Sequence, residues 1–468
     1  MSDGPVAAQH REKVNAEPTK NFFVEMLVRD VDLLDAVVDL VDNSVDGARR
    51  MRTTSYNGLR VAVEFDGTHF SVSDNCGGIP LVIAREYAFR FGRDEDDPRG
   101  GADAGSIGQF GVGMKRTLFK LGWYFEVESR TETEAFVLEQ DVREWRRAPG
   151  WEFEMLADTE TRRESDDTGT TITVTQLRVA AAEDLGNSVW EARLRADVRT
   201  KHRRALDRGM QITVNGVELE PVPMGLHESD DLKPIARDLV LDDGRVRVRL
   251  LAGVSSYKPV DAGWYVFLND RLVVGPDRTA LTVWEGRGSG VRGGGVAYHD
   301  QFARFRGFAL LDADISDLLP WTSTKTGIDV DSPTWRRTRQ LMRDMTRPVI
   351  DFLNQLDREK TYLAGDARAG QEGVDPDSEL AGQVIAEQID KLASVDLSEV
   401  TGAPEFVHPE VTLARLPPQQ TWIRYRVPTP DLLQASELAE SIGGLEAPRA
   451  GDVGLYAFEY FLRYAEDE

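Results

Sequence analysis

Apolar residues recur at helical spacing through residues 32–50, where Leu33, Leu34, Val37, Val41, Val45 and Ala48 fall on one face. Asp35, Asp39, Asp42, Asn43 and Asp46 fall on the opposite face. The pattern then changes to alternation at 59–65 and 69–74, two predicted strands joined by Asp66-Gly67, a hairpin signal. Residues 93–113 are rich in Gly and Asp and carry no period, so a long loop or lid is expected there. Further strand patterns lie at 125–130 and 171–177. This mixture of helices and antiparallel strands over 21–198 predicts an α/β (α+β) sandwich. A second unit, 199–335, contains strand-like runs at 245–251, 264–268 and 308–311 and a Gly/Arg loop at 286–295. Residues 336–362 read as one long helix, with Pro348 a predicted kink. A Gly/Asp/Ala linker at 363–379 leads to a small C-terminal α/β unit, 380–468, with a strand at 421–427 and helices at 430–441 and 452–464. Residues 1–20 read as a flexible polar arm.

Composition narrows the setting. A chain of 468 residues, 41% hydrophobic, can build two or three domains with their own cores. A net charge of −24 opposes nonspecific DNA binding over the whole surface but leaves room for a local basic patch. No apolar run approaches the ~20 residues of a membrane span. The polar N-terminus lacks the apolar stretch of a signal peptide. Cys76 is the one cysteine, so an internal disulfide is excluded and a cytoplasmic location is expected.

The acidic helix carries the first candidate chemistry. Asp39 and Asn43 are one turn apart and therefore neighbours. Asn43 can offer an amide oxygen to Mg²⁺, a hard cation, and Asp39 can orient or deprotonate an attacking water. So many like charges destabilise a plain helix surface, and a bound cation would relieve them. Taken alone, the same residues also describe a solvated acidic face. After the second strand, Asp74-Asn75-Cys76-Gly77-Gly78-Ile79-Pro80 must turn sharply. A carboxylate at a strand end followed by small residues can accept a hydrogen bond from an adenine amino group, and the glycines admit the base to the backbone. Gly108-Gln109-Phe110-Gly111-Val112-Gly113-Met114-Lys115 precedes a helical stretch, so its N–H groups can face phosphate oxygens, with Lys115 adding charge. The Walker spacing is absent. Thr170, at the start of a later strand, can reach the base or its water. Each of these segments, met singly, is an ordinary turn or strand start.

Together, in this order and spacing, the four segments resemble the ATP-binding domain of the GHKL group (gyrase, heat-shock chaperone, histidine kinase, MutL). Residues 39–46, from Asp39 to Asp46, look like its N-box, closest to MutL and MORC proteins. Residues 107–113 look like its second glycine box, and 168–177 are similar to its last. The resemblance covers roughly residues 20–180 and implies a Bergerat-fold sandwich binding ATP and Mg²⁺. By it, Asn43 would hold Mg²⁺, Asp74 would read adenine with Gly78 and Ile79 beside it, and Gly108 to Lys115 would cap the phosphates. Two departures stand out. Asp39 occupies the position of the group's usual Glu, one methylene longer, which leaves Asp42 as an alternative base. Cys76 replaces the first glycine of the adenine turn.

Residues 263–273, a strand, an Asn269-Asp270-Arg271 turn and a strand, resemble the ribosomal-protein-like β/α transducer domain of MORC and MutL proteins. That resemblance implies that Lys325, in the loop before the long helix, reaches the γ-phosphate. A lysine suits the charge that builds on a transferred phosphoryl group. The expected function is an ATPase forming a homodimer through its ATP domain, an ATP-gated switch acting on DNA in genome maintenance or defence, with no membrane partner. A chaperone-like ATPase with a protein client and a non-hydrolysing nucleotide sensor are the alternatives. Arg336, Arg337, Arg339 and Arg343 on the long helix either offset nearby acids, the preferred reading at this net charge, or form a local nucleic-acid patch. The C-terminal strand and helices loosely resemble a ribbon-helix-helix unit, and a dimerisation or partner-docking module fits them as well.

Overall fold

A computed structural model describes residues 18–90, 113–285, 296–322, 327–368, 381–411, 426–441 and 449–466, apart from 27, 30, 52, 53, 161, 163, 165 and 166 within them. The chain divides into two compact units, 1–413 and 414–468.

Alternating apolar residues build the first sheet. Val61, Val63, Phe70, Val72, Phe125, Val127, Ile172 and Val174 all point into one core. Their strands belong to an eight-stranded sheet ordered Met155–Asp158, Ala135–Asp141, Gly122–Arg130, Gly169–Leu177, Phe70–Asp74, Arg60–Phe65, Gln211–Val214, Val217–Glu218. Every neighbouring pair is antiparallel except Arg60–Phe65 with Gln211–Val214, which is parallel. The helix Leu33–Met51 packs against this layer with Gly113–Leu121 and Ser188–Lys201 beside it. Thr117 Oγ1 ties two of these helices together by donating to the Ala36 carbonyl at 3.0 Å. The result is the expected α/β sandwich.

The second sheet has five strands, ordered Ile235–Leu241, Val246–Val254, Phe305–Ala313, Gly263–Leu268, Arg271–Asp277. Gly263–Leu268 runs parallel to Phe305–Ala313, and the remaining pairs are antiparallel. The long helix Pro333–Arg368 packs on this sheet and buries Trp335, Met342, Met345, Val349, Phe352 and Leu353. Trp264 Nε1 fixes the contact by donating to Thr346 Oγ1 at 3.0 Å. Pro348 lies inside this helix.

The chain after the linker departs from the expected boundary at 380. The helix Ala381–Asp390 packs on the long helix, and Ser394–Asp396 adds an antiparallel strand to Gly225–His227. Leu397 and Val400 join the core cluster of Leu226, Phe267 and Phe308. A linker composition marks a break in the pattern of the chain, not in its packing, and a three-residue strand is too short to leave a period. The unit 414–468 contains two adjacent helices, Thr429–Ser441 and Ala450–Glu466, which bury Ala439 and Val453. The expected strand at 421–427 and the Gly/Arg loop at 286–295 lie outside the described residues, apart from residues 426 and 427.

Candidate functional site

The site begins where the second strand ends. Asp74 Oδ2 accepts from Ser44 Oγ at 2.6 Å. Its Oδ1 accepts from the Cys76 N–H at 2.9 Å and the Thr170 N–H at 3.2 Å. One carboxylate thus joins the acidic helix, the turn 74–80 and the strand Gly169–Leu177. Burial pushes the Asp74 pKa up, against the pull of Ser44, Cys76 and Thr170, which favour the anion.

Two glycines set the spacing here. A Cβ on Gly47 would lie 2.6 Å from the Cys76 carbonyl oxygen, so the helix can approach the turn only because Gly47 has none. Gly78 has φ +70°, and a Cβ there would lie 2.2 Å from the Arg130 carbonyl oxygen. Ile79 is half-buried, and its N–H donates to Ser129 Oγ at 2.6 Å. Ser129 Oγ lies 3.3 Å from Thr170 Oγ1. Cys76 is buried, and its thiol is pushed far above the ordinary range by burial and by the Asp74 charge, which disfavours the nucleophilic thiolate.

The acidic face of the helix does not meet solvent. Asp39, Asp42 and Asp46 are all buried. Their mutual repulsion is offset by the protein's own cations. Arg271 Nη1 contacts Asp39 Oδ1 at 3.2 Å and pairs closely with Asp42 Oδ2. Arg116 Nη2 stands 3.6 Å from Asp39 Oδ2. Lys201 pairs with Asp35 at 2.8 Å, and His202 Nε2 bonds Asp42 Oδ1 at 2.8 Å. Arginine and lysine side chains from segments far along the chain thus relieve part of this repulsion without a bound cation, and His202, kept neutral by burial, adds a hydrogen bond.

Asn43 differs from these neighbours. It is half-buried, and its amide makes no hydrogen bond among the described residues. Gly113, within the segment expected to face phosphate, sits so that a Cβ would be 3.6 Å from Asp39 Oδ2. Met114 is half-buried against the core. Lys115 is buried, with Nζ donating to the Ala88 carbonyl at 2.8 Å. Gly108, Gln109, Phe110, Gly111 and Val112, the rest of the lid, and Lys325 lie outside the described residues.

The sequence carries no local signal for the roles of Ser44, Ser129, Lys201, Arg271, Arg116 and His202 at this site. Ser44 stands within the N-box segment, thirty residues from Asp74. Arg271 stood in the quoted Asn-Asp-Arg turn without a role. Arg116 and His202 carried no local signal, since their partners are distant in the chain.

Residues 31–170 match the family described as histidine kinase-, DNA gyrase B-, and HSP90-like ATPase, which supports a GHKL-type domain in this segment of the chain. A domain of that type implies ATP binding and, in general, ATPase activity. No curated protein matches the chain.

Mg²⁺ fits this donor set. No group of three or more His, Cys, Asp or Glu among the described residues can hold a metal ion unaided. Mg²⁺ commonly takes one or two protein oxygens and completes its shell with phosphate and water, and the unbonded Asn43 amide could offer one such oxygen.

Proposed function

We propose that this protein is a Mg²⁺-dependent ATPase in which nucleotide occupancy of the sandwich domain is transmitted to the second domain. The observation that carries it is the arrangement along one helix. Ser44 supports the adenine-reading Asp74, Asn43 offers a free amide oxygen one residue earlier, and Asp39 lies one turn before that beside Gly113. Asp74, Gly78, Ile79 and Thr170 take the base. Asn43 holds the metal, with Asp46 supporting the same helix, and the segment Gly108 to Lys115 closes on the phosphates as a lid. The Mg²⁺ ion supplies charge neutralisation on the phosphate oxygens.

Asp39 receives the water proton, and Lys325 reaches the terminal phosphate from the second domain. In this structure both Asp39 oxygens face arginines, and the looser contact, Arg116 at 3.6 Å, is the one a water displaces. Arg271 belongs to the second domain and touches Asp39, so a shift of that domain changes the base directly. Closure brings two copies together through their ATP domains, and the client is DNA. The basic surface described below favours this client over a protein one.

Turnover and nucleotide binding measured on wild type, Asp39→Asn and Asn43→Ala test this reading. Wild type hydrolyses ATP. Asp39→Asn still binds Mg-ATP and loses roughly 10²–10⁴-fold in rate, the usual worth of a positioned base. Asn43→Ala loses Mg-dependent binding. Wild type that binds ATP without turnover makes the protein a nucleotide sensor, and absence of binding in all three removes the site.

A further inference from the structure

We propose that the outer face of the long helix Pro333–Arg368 is a docking surface for the phosphate backbone of duplex DNA. Arg336, Arg339, Arg343 and Arg347 recur at spacings of three, four and four residues. At about 100° per residue they fall within an arc of about 80°, one stripe about 16 Å long. The opposite face carries the buried Trp335, Thr338, Met342, Met345 and Val349, so packing pins the stripe outward.

The stripe is not a set of internal ion pairs. Arg336 meets Asp331 at 2.8 Å, an exposed contact worth little. Arg339 donates to the carbonyls of Ala280 and Leu281, which leaves its charge uncompensated. Arg343 and Arg347 are exposed and form no ion pair or hydrogen bond among the described residues. Asp344 and Asp351, exposed on the same helix, pair with neither. The reading in which these arginines offset nearby acids holds, among the four, at Arg336.

Like charges at i, i+4 destabilise a helix, and here the Arg343 charge adds to burial in lowering the Arg339 pKa. A chain of net charge −24 repels polyanions over most of its surface. A single cationic stripe then orients the encounter and supplies the salt-dependent part of affinity. Planar guanidinium forks suit phosphate oxygens.

The proposal locates the client surface for the ATPase reading, and DNA binding without nucleotide tests it separately from turnover. The full chain is titrated against a labelled 30-base-pair duplex at several salt concentrations, with ATP turnover assayed on the same samples. Wild type binds with a log–log salt slope of about −3 or steeper, from about three or four neutralised phosphates. Arg343→Gln/Arg347→Gln binds on the order of tenfold more weakly at every sequence and its slope is shallower by about 2, while basal turnover is unchanged. Arg245→Gln/Arg247→Gln, exposed arginines that face Asp242 and Asp314, leaves binding unchanged. Unaltered binding and slope in the stripe variant overturn the proposal. So does wild type that fails to bind the duplex at low salt, or that binds polyglutamate equally well, which makes the partner an acidic protein. Loss of turnover alone, with DNA binding intact, removes the ATPase reading and leaves the stripe.

Discussion

His202 shows how a single residue can couple the site to pH. With Asp42 as a carboxylate, the imidazole donates through Nε2, and its Nδ1 meets no hydrogen-bond partner among the described residues. Burial holds the pKa down to about 4, against the raising effects of the Val198 backbone, Asp39 and Asp46. The unfolded chain takes up this proton as pH falls through about 6.5, while the folded chain resists until about 4. The folded pKa is depressed, so the stability is present above about pH 6.5 and is lost as pH falls toward 4. Between pH 7 and 5 the loss from this group is about 2 kcal/mol. In His202→Gln an amide N–H can keep the bond to Asp42 without titrating. Denaturant unfolding at the two pH values is expected to show wild type losing about 2 kcal/mol more than this variant across that interval. Equal losses would mean that the imidazole titrates at its ordinary value in the folded chain.

At the scale of elements, the turn Asn269-Asp270-Arg271 joins the two sheets. Asp270 is buried, and burial pushes its pKa up, but Arg204, Arg208 and Arg49 together outweigh that and hold it below the ordinary range. Arg49 lies on the acidic helix and reaches Asp270 at 3.2 Å. Arg271 makes the reverse connection, from the second sheet to Asp39 and Asp42. The two pairings interlock, with an acid and a base exchanged across the same junction. Removing one partner of a buried pair strands the other charge, which costs about 3–5 kcal/mol. Arg271→Met is expected to destabilise the chain by that amount in chemical unfolding. Adding Asp42→Asn to it should restore part of the loss, because one stranded carboxylate is gone. Additive losses would show that Arg271 and Asp42 act independently.

At the scale of the whole molecule, the chain folds back on itself after the linker. Arg304 pairs with Asp390, Arg203 with Asp396, and Glu228 accepts from Thr401 and Gly402. Removing residues 414–468 is expected to leave the unfolding midpoint and ATP binding of the remainder unchanged, because these contacts stay. Ending the chain at 380 removes the strand Ser394–Asp396 and exposes Leu226, Phe267 and Phe308, so the midpoint should fall by several degrees. Equal midpoints for the two truncations would mean that residues 381–411 add no stability. The difference locates a boundary that composition alone puts at 380.

The sequence by itself determined the sandwich, the helix that carries Asp39 and Asn43, the Asp74 turn and the GHKL-type domain. These rest on short-range information: the period of apolar residues, the turn chemistry of glycine, and motifs whose members lie within a few residues of one another. Only the tertiary structure decided that the acidic face is buried. Arg271 and His202, which balance it, stand 232 and 160 residues away from the aspartates they contact, and no local pattern encodes such a pairing. The same holds for the arginines of the long helix. Their period is visible in the chain, but whether acids stand opposite them is set by how the sheets pack, and packing left Arg343 and Arg347 facing outward without an ion pair or hydrogen bond among the described residues.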